Sequence, residues 1–102
     1  MPHLFMVELD IPKEHEAEFN RVYDEEHFPS LKKVPGVLWA ARYRLETSTI
    51  PLMARYLTLY ELESPQVLDS AAWNKAAEFG DWIKKIRPLV TTRHHSVFQR
   101  VY

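Results

Sequence analysis

The chain has 102 residues, of which 46% are apolar and 26% charged, and its 13 basic and 14 acidic side chains give a formal net charge of −1. This length predicts one domain, residues 1–102, and the near-zero charge gives no reason to expect nucleic acid or a membrane surface as a partner. The absence of cysteine excludes disulfides and thiolate chemistry. We expect a cytoplasmic protein, because we see neither an apolar run of membrane-spanning length nor a secretory leader.

The first half of the chain predicts two strands with helical structure between them. The predicted elements are a strand at 3–10, a helix at 13–26, a short helical turn at 30–34 and a strand at 37–45. In the helix, Phe19 and Val22 recur at helical spacing among charged residues, which is typical of an amphipathic helix. Pro29 lacks an N–H and should kink or break that helix. Pro35 and Gly36 form a strong turn signal before the second strand.

The second half repeats the pattern of strand, helical region and strand. The predicted elements are a strand at 53–62, a helix at 66–79, a last helical turn at 81–87 and a strand at 91–102. Ser64 is a suitable N-cap for the helix, and Pro65 suits its first position. Pro88 should end the helical region. The last segment is rich in β-branched and aromatic residues, as strands are.

The order β-α-β-β-α-β predicts an α+β, ferredoxin-like fold, in which a four-stranded antiparallel sheet carries two helices on one face. The second and third strands carry large apolar residues on both faces, and nothing is left in the chain to cover the second face. We therefore expect a sheet-to-sheet homodimer. We expect the face of Trp39, Tyr43 and Tyr56 to be the one buried in it.

Four segments point to a known group of proteins: HLFMVELD, EEHFP, VPGV starting seven residues after His27, and ARYRL. With them, the chain resembles the dimeric α+β barrel superfamily and, within it, the EthD-like small bacterial proteins. The resemblance implies a ligand pocket between the sheet and the helices. It also implies that His27 matches the helix-one histidine, and that His3 matches a strand-one histidine of some cyclases. The tyrosine of muconolactone-type isomerases falls near Ala40, so that chemistry is not implied.

His27 and Arg42 are the candidate catalytic residues. His27 lies about 80° around the helix from Phe19, at the edge of the apolar stripe, where an imidazole can exchange a proton near neutral pH. Arg42 can hold a carboxylate or enolate oxygen with its planar guanidinium. If Ala40 and Arg42 face the helices, His27 and Arg42 share one pocket. The opposite parity would point Arg42 into the dimer interface, and His27 can also be read as a polar residue at a helix edge.

The remaining candidates are ligand-binding residues. Adjacent strand residues point to opposite faces, so His94 and His95 cannot bind one metal together, and we expect neither a metal site nor a cofactor. Aromatic side chains of the second helical region would form a good wall for a flat ligand. The ligand-binding candidates are His3, Phe5, Ala40, Trp73 and His95.

Three functions follow from these residues together with the resemblance. The first is a cofactor-independent acid/base enzyme, such as an isomerase, a lyase or a monooxygenase-like protein, that acts on a small cyclic or aromatic organic molecule. The second is a non-catalytic, EthD-like accessory protein that binds a small organic ligand in an oxidative degradation pathway. The third is a haem-binding or haem-degrading protein. The sequence leaves open whether the protein is an enzyme.

Overall fold

The computed structural model describes residues 2–102 and has the predicted order of strands and helices. The strands are β1 (His3–Asp10), β2 (Val37–Arg44), β3 (Tyr56–Leu62) and β4 (Thr92–Gln99). The α-helices are α1 (Glu16–Val22), α2 (Phe28–Lys32) and α3 (Ala71–Ala77). Short 3₁₀ turns occupy Lys13–His15, Pro65–Asp69 and Arg87–Leu89, and π-helical turns occupy Tyr23–His27 and Trp82–Ile86.

The four strands form one antiparallel sheet in the order β2-β3-β1-β4. This is the strand order of the ferredoxin-like fold, and the predicted fold class is confirmed. The register has one irregularity, a β-bulge between Val37 and Trp39 that leaves Leu38 without a partner on β3. Among residues 2–102, no helix is both long and apolar enough to cross a membrane.

The first helical region continues through Pro29, so of the two outcomes predicted there, a kink or a break, the break is wrong. The chain passes from α1 through the π-helical turn Tyr23–His27 directly into α2, where Pro29 is the second residue. A proline inside an α-helix loses a hydrogen bond and clashes with the carbonyl four residues earlier. The wider π-helical turn just before Pro29 relieves both problems, because its hydrogen bonds skip one residue more.

The second helical region is divided at Ser70. The prediction of one helix over 66–79 did not include this division. Ser64 accepts a hydrogen bond from the Gln66 N–H at 3.1 Å, as the N-cap prediction required, but the turn that follows is 3₁₀ and ends at Asp69. Ser70 has an extended backbone and accepts a hydrogen bond from the Trp73 N–H at 3.1 Å. Ser70 is therefore the N-cap of a new helix, α3.

The hydrophobic core lies between the sheet and the helices. Phe5, Val7 and Leu9 of β1 face it, alternating with residues that are only half-buried on the other face. Tyr56 and Tyr60 of β3 face it as well, because they pair across strands with Leu9 and Phe5. Both tyrosines are buried, so the expectation that Tyr56 lies on the dimer face is wrong.

The opposite face of the sheet is open in the single chain. Trp39 and Tyr43 of β2 lie on it, as expected, and remain 48% and 46% exposed. They pair with Glu61 and Leu57 of β3, so the residues of β3 on this face are Leu57, Leu59 and Glu61 and not the tyrosines. Phe98 of β4 adds another exposed aromatic ring to the same face.

Candidate functional site

A cavity of about 500 Å³ lies between the helices and the half of the sheet formed by β1 and β4. Its walls are largely aromatic, with Phe5, Tyr23, Tyr60, Trp73 and Trp82 among the lining residues. Polar side chains also line it: His27, Asn74, Glu78, Arg87, Arg93 and His95. Flat apolar walls with a few convergent polar groups are the usual features of a binding site for a small organic molecule.

His27 lies in the wall of this cavity at the end of the π-helical turn Tyr23–His27, and it is 6% exposed. Its ring stacks on the Trp82 indole with centroids 4.5 Å apart and meets the Tyr23 ring edge-on at 5.2 Å. Its Nδ1 has no hydrogen-bond partner in the described part of the chain. Burial, followed by the positive charge of Arg93, lowers the pKa of His27 to about 4. The imidazole is therefore neutral at pH 7.

A contact between helical segments holds Trp82 against His27. The Glu26 carboxylate, one residue before His27, accepts a hydrogen bond from the Asp81 N–H at 2.7 Å. Glu26 also lies directly against Gly80, whose φ of +76° and lack of a Cβ allow the close approach. This contact fixes the turn from which Trp82 extends, and so it positions the indole that covers the His27 ring.

Two phenol groups line the cavity together with His27. The Tyr23 hydroxyl accepts a hydrogen bond from the Thr58 hydroxyl at 3.0 Å, and both residues are buried. The Tyr60 hydroxyl, near that of Tyr23, is fully buried. Burial, followed by the neighbouring Tyr23, raises the pKa of Tyr60 well above 10.0. Tyr60 therefore stays protonated at pH 7.

His95 and Arg93 of β4 lie on the same side of the sheet, opposite Val7 and Leu9 of β1. The His95 ring packs edge-on against Phe5 with centroids 5.3 Å apart. Part of His95 is exposed, but burial of the remainder, together with the charges of Arg93 and Arg87, lowers its pKa to about 4. His94 pairs with Glu8 on the other face, so the two histidines point apart as predicted.

Arg42 faces the helices but does not line the cavity that contains His27, so the expectation of one shared pocket is wrong. Its guanidinium lies over the Tyr23 ring at 4.3 Å and close to the Phe19 ring at 5.5 Å. It donates hydrogen bonds to Asp24 and, at 3.1 Å, to the side-chain carbonyl of Asn20. Tyr23 thus separates Arg42 from the cavity, because β2 and β4 are opposite edges of the sheet.

The five ligand-binding candidates divide between two places. Phe5, Trp73 and His95 line the cavity beside His27. Ala40 is buried against Tyr60 on the neighbouring strand and is not part of the lining. His3 lies at the end of the sheet, where it lines a separate cavity of about 280 Å³. The structure therefore does not bring Ala40 and His3 to the cavity that contains His27.

Four residues of the site were not identified from the sequence. By sequence, Tyr23 and Tyr60 are typical core aromatics, and their spacing gives no sign of a role for their hydroxyls. Arg87 and Arg93 read as surface charges at the ends of elements. Two signals were present: Arg93 has the same parity as His95 on β4, and Arg87 follows a helical segment that must pack over that strand.

Solved structures support the fold assignment, whereas no family model and no curated protein matches the sequence. An ethyl tert-butyl ether D (EthD) family protein of Bacillus halodurans has a TM-score of 0.71 and 16% identity, over 99% of this chain and 100% of that one. SnoaB, a cofactor-independent oxygenase of Streptomyces nogalater, has a TM-score of 0.68 and 15% identity, over 99% and 94%. MhuD, a haem degrader of Mycobacterium tuberculosis with two haems in its active site, has a TM-score of 0.62 and 19% identity, over 98% and 96%.

These likenesses extend over the whole described chain, and they agree with the resemblance seen in the sequence. The chain thus has the same ferredoxin-like fold as an EthD family protein. Proteins with this fold include an oxygenase and a haem degrader, so the fold alone does not select one activity.

Proposed function

We propose that the protein is a cofactor-independent acid/base enzyme that acts on a small cyclic or aromatic organic molecule in the cavity beside His27. The observation that supports this most is the state of His27, a neutral imidazole in the wall of a largely apolar cavity. Its Nδ1 is itself buried, so a ligand in the cavity does not reach that atom. We therefore assign the role of proton acceptor to the other ring nitrogen, Nε2.

The reaction step that fits this site is removal of a proton from a carbon next to a carbonyl group. The C–H bond breaks, its proton moves to the imidazole of His27, and the electron pair forms an enolate. The imidazolium and the enolate then stabilise each other, because opposite charges attract strongly in a water-poor cavity. Arg42, which lies outside the cavity, has no part in this step.

Hydrogen–deuterium exchange tests this proposal without knowledge of the natural substrate. A panel of bicyclic ketones related to 2-tetralone, with and without a ring carboxylate, is incubated with the protein in D₂O and followed by NMR. We expect the wild type to accelerate exchange at the α-carbon of at least one ketone, and His27→Gln to abolish the acceleration. His15→Gln is the matched control, because it removes a histidine outside the cavity. Exchange that is unchanged in His27→Gln would refute the role of His27.

A non-catalytic ligand-binding protein is the alternative that the same assay separates. Such a protein would bind members of the panel without accelerating exchange, and His27→Gln would change only its affinity. Binding can be followed by fluorescence, since Trp73 and Trp82 both line the cavity.

Haem bound as a substrate is the second candidate function, and the neutral imidazole of His27 in the cavity wall favours it as well. A buried, neutral imidazole is a good ligand for iron, because no proton has to be displaced. A hemin titration followed by absorbance tests this candidate. A Soret band that shifts with 1:1 or 2:1 stoichiometry in the wild type and is lost in His27→Ala would favour haem over a small organic substrate.

We also propose that the working unit is a homodimer that buries the open face of the sheet. This face carries exposed Trp39, Tyr43 and Phe98, and an apolar patch of this kind commonly marks an interface. Sedimentation velocity should find a dimer for the wild type and a monomer for Trp39→Glu. Phe79→Glu changes an aromatic residue of similar exposure beyond α3, and it should stay dimeric. A monomeric wild type would refute the proposal.

A further inference from the structure

Arg87 and Arg93 are exposed arginines that line the cavity and form no ion pair within residues 2–102. Arg93 lies on β4 opposite Leu9, on the side that faces the helices, and Arg87 begins the turn after the π-helical segment Trp82–Ile86. Both side chains line the cavity. In the part of the chain that the structure describes, neither guanidinium has a carboxylate oxygen within 4.0 Å.

Three of the other five arginines do have such partners. Arg21 pairs with Glu18 at 2.5 Å, Arg55 pairs with Asp10 at 2.7 Å, and Arg42 pairs with Asp24. Arg44 and Arg100 form no ion pair within residues 2–102. What distinguishes Arg87 and Arg93 from these two is their position in the wall of the cavity.

The two charges also act on each other. Burial, followed by the charge of Arg87, lowers the pKa of Arg93 below its ordinary value. The cavity also contains Glu78, but Glu78 is not within ion-pair distance of either arginine, and both cavity histidines are neutral at pH 7. With two guanidiniums and one carboxylate, the cavity has an excess of one positive charge, which an anion would balance.

We propose that Arg87 and Arg93 form a carboxylate subsite, so that the substrate of the acid/base reaction is a small ring compound that carries a carboxylate group. This inference deepens the proposed function and rests on it. A guanidinium binds a carboxylate through two parallel N–H···O hydrogen bonds, which fixes the orientation of the ligand as well as its charge. The aromatic walls formed by Phe5, Trp73 and Trp82 then hold the ring.

Binding of the carboxylate would also change His27. The charge of Arg93 is one cause of the low pKa of this histidine, and a bound anion would offset that charge. The pKa of His27 should therefore rise toward its ordinary value when the subsite is filled. A carboxylate-bearing substrate would in this way make its own proton acceptor more basic.

Two probes of the same shape test the subsite. 2-Naphthoate carries a carboxylate, and 2-naphthamide replaces it by a neutral amide of similar size. Their dissociation constants are measured by quenching of tryptophan fluorescence at pH 7 and low ionic strength. The wild type should bind 2-naphthoate at least about tenfold more tightly than 2-naphthamide, since hydrogen bonds to a charged group are the stronger kind.

Substitutions then show which residues cause the preference for 2-naphthoate. Arg87→Gln and Arg93→Gln should each remove most of it, whereas Arg93→Lys should retain part of it because the charge is kept. Arg44→Gln, an exposed arginine at the end of β2 outside this cavity, is the matched control and should bind like the wild type. Circular dichroism checks that each variant is folded, and NMR of the histidine ring protons follows the pKa of His27 with and without 2-naphthoate.

The outcomes separate this inference from the proposed function. Equal binding of the two probes, binding of neither, or a preference that survives both glutamine variants overturns the carboxylate subsite. Ketone exchange that depends on His27 would still support the acid/base function in that case. A naphthoate preference that depends on the two arginines, without any exchange activity, would support the subsite and leave the protein as a carboxylate-binding protein.

Discussion

The buried, neutral state of His27 predicts a specific loss of stability in mild acid. In the unfolded chain a histidine titrates near 6.5, whereas folded His27 titrates near 4. Between these values the unfolded chain binds more protons than the folded protein, so the free energy of unfolding rises with pH. The stability that depends on neutral His27 is therefore complete above about pH 6.5 and is lost progressively as the pH falls to about 4.

The size of this loss of stability follows from the shift in the pKa of His27. One pKa unit corresponds to about 1.4 kcal/mol, so the full shift is worth about 3 kcal/mol. At pH 5 the unfolded histidine is almost fully protonated, while folded His27 is mostly neutral. The contribution of His27 to the free energy of unfolding should accordingly fall by about 2 kcal/mol between pH 7 and pH 5.

Urea unfolding at pH 7 and pH 5 measures this difference, at a fixed protein concentration because association would affect the transition. Carboxylates and His95 also titrate in this range, but they are the same in all variants and cancel in the comparison. His27→Gln should lose about 2 kcal/mol less than the wild type between the two pH values. His15→Gln keeps His27 and should therefore behave like the wild type.

An equal pH dependence in the wild type and His27→Gln would refute this reasoning. It would mean that the attraction of the imidazolium to the Trp82 ring, which is stacked at 4.5 Å, offsets the cost of burying the charge. His27 would then titrate near its ordinary value of 6.5, and its pKa would not be lowered by burial.

Four further variants test the packing of the fold by urea unfolding at pH 7. Tyr60→Phe removes a buried hydroxyl without a partner among residues 2–102, so it should leave stability unchanged or raise it by up to about 1 kcal/mol, and a clear loss would reveal a hidden partner. Arg42→Ala should lower the free energy of unfolding by about 2 kcal/mol, because it removes the stack on Tyr23. Asp24→Asn should lower it by less than about 1 kcal/mol, since Asp24 is 60% exposed. Equal losses in the two variants would contradict this order. Gly36→Ala should cost more than about 1 kcal/mol, because Gly36 has a φ of +95° and a Cβ there would lie 2.5 Å from Val67, and a neutral effect would show that the turn can relax.

Local patterns were sufficient to predict the class and order of the elements. β1 has the predicted bounds, and β2 ends one residue earlier than predicted, because apolar runs bounded by proline and glycine define short strands well. The third strand was predicted to begin at Met53 but begins at Tyr56. Strand ends depend on where the neighbouring strand stops pairing, and that is not a property of the segment itself.

The errors in the helices have a common origin. A proline normally ends a helix, yet Pro29 lies inside the first helical region because a π-helical turn precedes it. A serine is unremarkable inside a helix by composition, yet Ser70 divides the second region. Both outcomes depend on packing against the sheet, which moves the backbone by a fraction of a turn. Local propensity contains no information about such adjustments.

The site shows most clearly where sequence patterns stop being informative. The sequence left open which face of the sheet Arg42 lies on, and in the structure Arg42 faces the helices. Parity alone does not say where along the width of the sheet a residue lies. Two residues that both face the helices can stand on opposite edges, as Arg42 on β2 and Arg93 on β4 do. The strand order therefore decides which arginine reaches the cavity.

Tyr23 connects these two edges. Its ring contacts Arg42 at 4.3 Å on one side, and it lines the cavity with His27 on the other. The first helical region fills the β2 half of the layer with Phe19 and Tyr23, and the cavity that contains His27 lies over β1 and β4. Arg42 and Asp24 hold Tyr23 in this position, and Thr58 fixes its hydroxyl next to that of Tyr60. The role of Arg42 in this arrangement is to keep the wall of the cavity in place, and a change at Arg42 should alter stability before it alters the chemistry of a bound ligand.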